Sequence, residues 1–289
     1  EFEPKGEKMK FLSKLKGSLK RGFTVLCATV MVLTSGILTG TEFQASAAQL
    51  HGTKAGKILG TVLNELEKEC KPGVTTYHIN KIGEEMIRSY GCIPSFKGYQ
   101  GYPAAICVSV NDEIVHGIPS KKRVLKEGDI VSLDAGVIHK GYHSDAARTY
   151  GIGKISDEAA KLIEVTRQSF FEGIKYAKEG CHLYEISNAI AQYNESFGYG
   201  VIRDLVGHGI GTELHEEPEI PNFRQDRRGI RLYEGMTLAI EPMVSAGDYK
   251  VRWLDDDWTA STFDHSLSAH YENTVLVTKA GPEILSLVE

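Results

Sequence analysis

The sequence predicts an α+β protein with two similar halves. Two pairs of amphipathic helices alternate with two groups of strand-like segments, so the order helix, helix, strands occurs twice along the 289 residues. The strand-like segments are short, apolar and bounded by Gly and Asp, as expected for strands joined by turns. No clear sequence repeat accompanies this order, so the two halves are a hypothesis from element order alone.

The first half is predicted to begin with two helices. The sequence CKPG at residues 70–73 ends the first helix, Thr75 is the predicted N-cap of the second, and Gly91 ends it. The strands AAICVSVND and DIVSLDAGV follow a loop over residues 97–103. The apolar positions at helical spacing are Ala55, Ile58, Leu59, Val62, Leu63 and Leu66 in the first helix, and Ile79, Ile82, Met86 and Tyr90 in the second.

The second half is predicted to begin with helices at residues 157–178 and 182–197. Strands are expected in the segments MTLAIEPMV and HYENTVLVT, and around Trp253. The apolar positions of the two helices are Leu162, Ile163, Thr166, Phe170 and Ile174, and then Leu183, Ile186, Ile190 and Phe197.

The first 47 residues differ from the rest of the chain. Met9 begins a basic stretch, an apolar run covers residues 22–40, and residues 45–47 form an A-x-A cleavage pattern. This order predicts a secretory signal peptide, with an uncleaved membrane anchor as the alternative; the run is marginal against the roughly 20 apolar residues that a spanning helix needs. Because residues 1–8 resemble a translated linker, the leader over residues 1–47 is either an export signal or part of an engineered fusion. Residues 48–289 are expected to form the folded domain.

Charge and cysteine content restrict the possible partners. The net charge of −5 lacks the basic excess that binding many phosphates requires, so nucleic acid is not an expected partner. The five cysteines contain no CxxC pair, and we expect free thiols.

Two aspartates give the strongest chemical signal. Asp134 and Asp145 lie in SLDAGVIHKGYHSDAART, which is predicted to form a hairpin. A turn centred on residues 139–140 places them directly opposite each other, and one centred on residues 140–141 makes them diagonal neighbours. Either register puts both carboxylates on one face, where they repel each other unless a cation lies between them. Two solvated hairpin aspartates are the alternative.

Further motifs favour a metal site. GHGIGTELHEEP places His208 among glycines, with His215 seven residues later, so a glycine-rich bend is expected to bring both rings to one cavity. The apolar segments TLAIEPM and SAHYENTVLV contain Glu241 and Glu272. A carboxylate without a partner is costly in such surroundings. Four carboxylates and one imidazole suit two divalent ions such as Mn, Fe(II), Co or Zn.

Residues 55–287 resemble type I methionine aminopeptidases of the M24 metallopeptidase family. The resemblance rests on NDEIVHGIP, GDIVSLDAG, HSDAART, GHGIGTELHEEP, IEPM, DDWT and SLSAHYENT. It implies the duplicated pita-bread α+β fold, with an antiparallel sheet covered by helices. It also implies metal-dependent removal of N-terminal methionine in the cytoplasm, from peptides or nascent proteins, by a monomer with possible association with the ribosome. An Xaa-Pro aminopeptidase or prolidase, and a non-catalytic peptide-binding module of the same fold, are the alternatives.

The resemblance also implies roles for individual residues. The implied metal ligands are Asp134, Asp145, His208, Glu241 and Glu272, of which Asp145 and Glu272 bridge both ions. His116 and His215 match two histidines that contact substrate. The expected catalytic set is His116, His215 and Glu241, with Glu241 as proton shuttle and His215 as oxyanion donor. The positions around the methionine side-chain pocket are Phe96, Tyr99, Tyr102, Cys107, Leu214 and Trp258.

Three positions depart from the family pattern. His270 and Asn273 replace a Gln and a His that are common around the last glutamate, and Leu214 stands where many members have an aromatic residue. We expect these differences to affect the pocket without contacting a metal ligand or a substrate-contacting histidine.

Overall fold

The computed structural model describes the backbone of residues 40–288 and the side chains from residue 52 onward. Most of the predicted leader, residues 1–39, therefore lies outside the described residues. The first half contains α1 (Gly40–Glu67), α2 (Thr76–Ser89), β1 (Ile93–Pro94), β2 (Ile106–Val110), β3 (Glu113–Val115), β4 (Ile130–His139) and β5 (Tyr142–Gly151). A short 3₁₀ turn, Tyr99–Gly101, lies between β1 and β2.

The second half repeats this order with more, shorter strands. It begins with two helices, as predicted, and continues through ten strands. Its elements are α3 (Asp157–Ile174), α4 (Leu183–Ser196), β6 (Gly200–Val201), β7 (Gly207–Gly209), β8 (Glu216–Ile220), β9 (Thr237–Ile240), β10 (Met243–Ser245), β11 (Val251–Trp253), β12 (Ala260–Thr262), β13 (Ser268–His270), β14 (Asn273–Val277) and β15 (Pro282–Ile284).

The helices α1 and α2 cover the sheet of the first half. The Thr75 side chain accepts a hydrogen bond from the backbone N–H of His78, which confirms the predicted N-cap. α1 starts at Gly40, before the apolar stripe from which its position was predicted. Gly56 and Gly60 allow α1 to approach the C-terminal segment, since a β-carbon on either would lie within 2.7 Å of the backbone of Leu285 or Ser286.

The hairpin of β4 and β5 has the second of the two registers considered above. His139 pairs with Tyr142, so the turn is centred on Lys140 and Gly141. Gly136 pairs with Asp145 in this register, which makes Asp134 and Asp145 diagonal neighbours on one face. β1 and β2 both pair with the other edge of β4 and complete a four-stranded sheet.

The helices α3 and α4 pack on the second half. The largest sheet there has the order β15-β14-β9-β7-β8, and every pairing between its strands is antiparallel. Phe170 and Ile190, from the two helices, share a buried cluster with Ile240 and Val275 of this sheet. Two three-stranded sheets, β13-β10-β6 and β11-β12-β3, complete the domain. The predicted α+β architecture with helix pairs over antiparallel sheets is confirmed.

Local differences from the predicted elements have simple causes. The segment MTLAIEPMV forms two strands, because Glu241 and Pro242 interrupt the run between β9 and β10. Tyr90 and Phe197, predicted to face inward, are 47% and 40% exposed because each is the residue that caps its helix. The helix over residues 157–178 stops early, at Ile174.

A short seam joins the two halves. Ala147 of β5 and Glu272 exchange two backbone hydrogen bonds, of 3.0 and 3.3 Å. The Thr274 hydroxyl accepts a hydrogen bond from the backbone N–H of Asp145 at 2.8 Å and donates one to its carbonyl at 2.9 Å. Arg148 donates to the Asn273 side chain at 2.6 Å and to the backbone carbonyl of Glu272. This seam fixes Asp145 beside Glu272.

Two further features complete the description. Cys70, Cys92, Cys107 and Cys181 are free thiols, which confirms the prediction for the cysteines in the described part of the chain. Within residues 40–288, no helix combines the length and apolar character needed to cross a bilayer.

Replacement of Thr274 tests the seam. Thr274→Val keeps the side-chain shape but leaves the buried backbone groups of Asp145 without their partner, so the free energy of unfolding should fall by about 1–3 kcal/mol. Chemical denaturation measures this change. Thr61→Val, on the outer face of α1, is the matched control and should stay within about 0.5 kcal/mol of the unmodified chain. Equal effects of the two substitutions would contradict the role given to the seam.

Candidate metal centre

Four carboxylates from separate segments of the chain meet near the seam. Asp134 lies on β4 and Asp145 on β5, and they are 9% and 4% exposed. Glu241 follows β9 directly, and Glu272 lies between β13 and β14 with 2% of its surface exposed. The two halves of the fold each contribute two carboxylates. We call these residues and His208 the candidate metal centre.

His208 of β7 faces this group. Ligand atoms of Asp145, His208 and Glu272 all lie within 4.8 Å of one another. The Nε2 atom of His208 is 3.8 Å from Oε1 of Glu241. Asp134 completes the set as the diagonal neighbour of Asp145 on the same face of the hairpin, where each carboxyl group influences the pKa of the other. The structure therefore brings together all five residues that the sequence singled out as candidate ligands.

The orientation of the His208 ring is fixed by the backbone. Its Nδ1 atom is 2.8 Å from the carbonyl oxygen of Gly209, which only accepts hydrogen bonds, so Nδ1 carries the proton. The Nε2 lone pair is therefore directed toward the carboxylates. A histidine that binds a metal through one ring nitrogen usually donates a hydrogen bond from the other ring nitrogen, as His208 does here.

Without a cation, the four carboxylates are electrostatically unfavourable because they are buried close to one another. Burial raises the pKa of Asp134 to about 7, and raises the pKa values of Asp145, Glu241 and Glu272 well above the usual range. One oxygen each of Asp134, Asp145 and Glu272 has no hydrogen-bond partner among the described residues. Oxygen-rich sites with one imidazole suit hard or borderline divalent ions. The residues of the candidate metal centre therefore fit such ions.

An apolar cluster adjoins the candidate metal centre. Cys107 of β2 pairs in register with Asp134 of β4, which places the cluster directly beside a carboxylate. The Tyr102 ring lies edge to face with Trp258 at 5.1 Å between centroids. All six predicted pocket positions share one apolar cluster, with Phe96, Tyr102, Cys107 and Leu214 buried and Tyr99 and Trp258 at its margin.

His116 and His215 lie next to the same apolar cluster. The His215 ring is 4.2 Å from that of His208, so the glycine-rich segment brings both imidazoles together as expected. The Tyr99 hydroxyl is 2.8 Å from Nδ1 of His215. His116 lies 6.4 Å from the Trp258 ring and has a φ of 60°, which is uncommon for a residue with a side chain. Burial lowers the pKa of His116 to about 4 and of His215 to about 3.

One expectation from the sequence is wrong. We expected His270 to contact no candidate ligand, but its Nε2 atom is 3.6 Å from Oε2 of Glu241 and 3.9 Å from Oε2 of Glu272. The sequence contained a signal for this contact. His270 precedes Glu272 by two residues, and residues at that spacing point to the same face of an extended chain.

The sequence analysis also missed a residue that holds the pocket wall. Asp256 accepts hydrogen bonds from the backbone N–H groups of Trp258 and Thr259, and from the Thr259 hydroxyl at 2.6 Å. These bonds shape the turn that presents Trp258 to the pocket. The motif DDWT was noted as a match, but its internal hydrogen bonds depend on a turn geometry that spacing alone does not reveal.

The raised carboxyl pKa values predict how stability depends on pH. Between pH 7 and 8 the folded, metal-free protein should retain protons that the unfolded chain has lost, so its free energy of unfolding should fall by about 1.4 kcal/mol per pH unit for each carboxyl that stays protonated. The histidines with lowered pKa values, such as His208 and His215, are largely neutral in both states in this range. Denaturation after chelation measures the slope, and Glu272→Gln should reduce it. Equal stability at pH 7 and 8 would contradict the burial of charge inferred here.

Comparisons with known proteins agree with this geometry. The model of metallopeptidase family M24 matches residues 52–279. The methionine aminopeptidase of Clostridium acetobutylicum is 59% identical over 236 residues, which cover 82% of this chain and 94% of that protein.

Solved structures give the same result for the fold. The crystal structure of a methionine aminopeptidase from Thermotoga maritima matches with a TM-score of 0.82 and 46% identity, covering 84% of this chain and 97% of that one. An Xaa-Pro dipeptidase from Bacillus anthracis matches with a TM-score of 0.68 at 24% identity, a likeness that shows the fold alone. The two halves form the pita-bread fold, and the chain belongs to metallopeptidase family M24, among its methionine aminopeptidases.

Proposed function

We propose that the chain removes N-terminal methionine from peptides and nascent proteins with two divalent ions held by Asp134, Asp145, His208, Glu241 and Glu272. The observation that carries this proposal is the convergence of four buried carboxylates and the Nε2 atom of His208 beside an apolar pocket. Asp145 and Glu272 lie at the seam between the halves and are the proposed bridging ligands. Mn, Fe(II), Co and Zn are the candidate ions.

The chemistry of hydrolysis divides between the ions and the protein. When bound, divalent ions activate a water molecule, polarise the scissile carbonyl and bind the free α-amine. Glu241 is the proposed proton shuttle, because its side chain reaches the centre from a strand end and is only 13% exposed. It accepts the proton of the attacking water and passes it to the leaving amine.

His215 is the proposed donor to the developing oxyanion of the substrate carbonyl. The Tyr99 hydroxyl can donate to its Nδ1 atom at 2.8 Å, which keeps the proton on Nε2. His215 is next to His208 and so next to the candidate metal centre. A neutral imidazole with Nε2–H is the form that an oxyanion donor requires, and the lowered pKa of His215 keeps the ring neutral.

The apolar pocket is proposed to bind the methionine side chain. Its walls are Phe96, Tyr99, Tyr102, Cys107, Leu214 and Trp258. A flexible thioether fits an apolar pocket lined by aromatic rings and sulfur, and the enclosing rings exclude bulky side chains. His116, beside Trp258, is proposed to contact the substrate backbone on the leaving side.

Peptide hydrolysis with defined substrates tests the function. Chelated protein reloaded with Mn, Co or Fe(II) should cleave Met-Ala-Ser and leave Ala-Pro peptides intact. Asp134→Asn should abolish cleavage and lower the amount of bound metal, because it removes one charge from the shared cage. Preferential cleavage of Ala-Pro peptides would support the prolidase alternative. Metal binding without cleavage of either would support a binding module.

The role of Tyr99 gives a separate prediction. Tyr99→Phe removes the hydroxyl that orients His215, so kcat should fall by about tenfold with KM and metal content little changed, whereas His215→Ala should lower kcat by about 100-fold. Steady-state kinetics and metal analysis measure both. Tyr150→Phe is the control, because that hydroxyl bonds α1 at Leu63, away from the pocket. A rise in KM alone would contradict the orienting role and leave Tyr99 only its place in the pocket wall.

The leader, residues 1–47, is proposed to lie outside the catalytic domain at residues 48–289. The family match begins at residue 52, which supports this division. Action in the cytoplasm, as a monomer close to the ribosome, is part of the same proposal. The monomeric state is supported by the assembly of all five candidate ligands within one chain.

Truncation tests the division. A chain of residues 48–289 should keep its specific activity within about twofold, with any loss appearing as lower stability, since none of the candidate ligands or pocket residues precedes Phe96. If this chain folds and binds metal but does not cleave a methionyl peptide that the full chain cleaves, the leader belongs to the active domain.

A further inference from the structure

His270 is buried among charged groups without an evident partner. Its side chain is 1% exposed, and neither ring nitrogen has a hydrogen-bond partner among the described residues. An imidazole has at least one N–H donor and, when neutral, one acceptor, so leaving both without partners is costly in a buried site. A ligand bound within this site would engage the ring and remove that cost.

The distances around Nε2 of His270 fit a shared ion better than a hydrogen bond. Its separations from Glu241 and Glu272, 3.6 and 3.9 Å, exceed normal hydrogen-bond lengths. Two ligands of one divalent ion, each bound at about 2.1 Å, lie roughly 3 to 4 Å apart. Ligand atoms of Glu241, His270 and Glu272 all lie within 4.8 Å of one another.

His208 provides an internal comparison. Its Nε2 atom is 3.8 Å from Oε1 of Glu241, whereas Nε2 of His270 is 3.6 Å from Oε2 of the same carboxylate. Glu241 thus lies between two imidazoles, each facing one of its oxygens at nearly the same distance. The two rings enter from different strands, β7 and β13.

We propose that His270 is an additional metal ligand, which binds through Nε2 together with Glu241 and Glu272. The inference rests on the proposed function, in that divalent ions occupy the candidate metal centre. It changes the donor set from one imidazole with four carboxylates to two imidazoles with four carboxylates. Because nitrogen donors favour Co and Zn over Mn, the chain should select the former more strongly than a centre with a single imidazole.

Metal binding by His270→Gln tests the selectivity. Calorimetric titration of the chelated full chain with Co alone and with Mn alone should show Co affinity lowered by about tenfold or more, and Mn affinity lowered by less than about threefold. His139→Gln is the matched control, because His139 is also buried but lies at the far end of β4, where its Nδ1 atom contacts Cys92. Unchanged Co affinity in a folded His270→Gln variant would overturn the proposal.

Proton NMR of the Co-loaded full chain gives a readout that needs no variant to fold. Each imidazole bound to Co contributes one strongly shifted ring N–H resonance that disappears in D₂O, so the unmodified chain should show two, and His270→Gln one. A single resonance in the unmodified chain would overturn the role of His270 and leave the proposed function intact. Failure of the unmodified chain to bind any divalent ion would overturn both.

Discussion

The contact between β5 and residues 272–274 is the interaction on which the rest of the site depends. Two backbone hydrogen bonds join Ala147 to Glu272, and the Thr274 hydroxyl satisfies both backbone groups of Asp145. Each half of the fold has its own helix pair and sheet, and the proposed metal centre takes ligands from both halves. The seam brings two acidic residues from each half into one buried volume, so the duplicated architecture and the chemistry are linked at this one place.

The buried carboxylates at the seam lower the stability of the metal-free protein. Burial raises the pKa values of all four, and several of their oxygens have no protein partner among the described residues. Apolar residues of similar volume would stabilise the fold better at this position. A cluster of buried carboxylates that is unfavourable without cations and favourable with them indicates a site organised for ligand binding. The hydrogen bond that orients His208 supports the same conclusion.

Sequence patterns predicted the parts of the site that depend on local geometry. The even loop of the β4–β5 hairpin fixed the shared face of Asp134 and Asp145, and the glycines around His208 indicated a close approach to His215. Contacts between distant segments were not predictable from spacing. Tyr99 was expected in the pocket wall, but its hydroxyl contacts His215, 116 residues away. His270 was considered only as a departure from a family pattern, because its proximity to Glu241 depends on the pairing of β10 with β13, in which Met243 lies opposite His270.

Anomalous diffraction from crystals of the Co-loaded chain tests the central claim most directly. Data collected on both sides of the cobalt absorption edge locate the ions without reference to activity. The account predicts two anomalous peaks between the halves, within bonding distance of Asp145 and Glu272, and one of them within bonding distance of Nε2 of His208. Ordered cobalt elsewhere, or side chains of Asp145 and Glu272 that bind no ion in a fully loaded crystal, would contradict the assignment of this cluster as the metal centre.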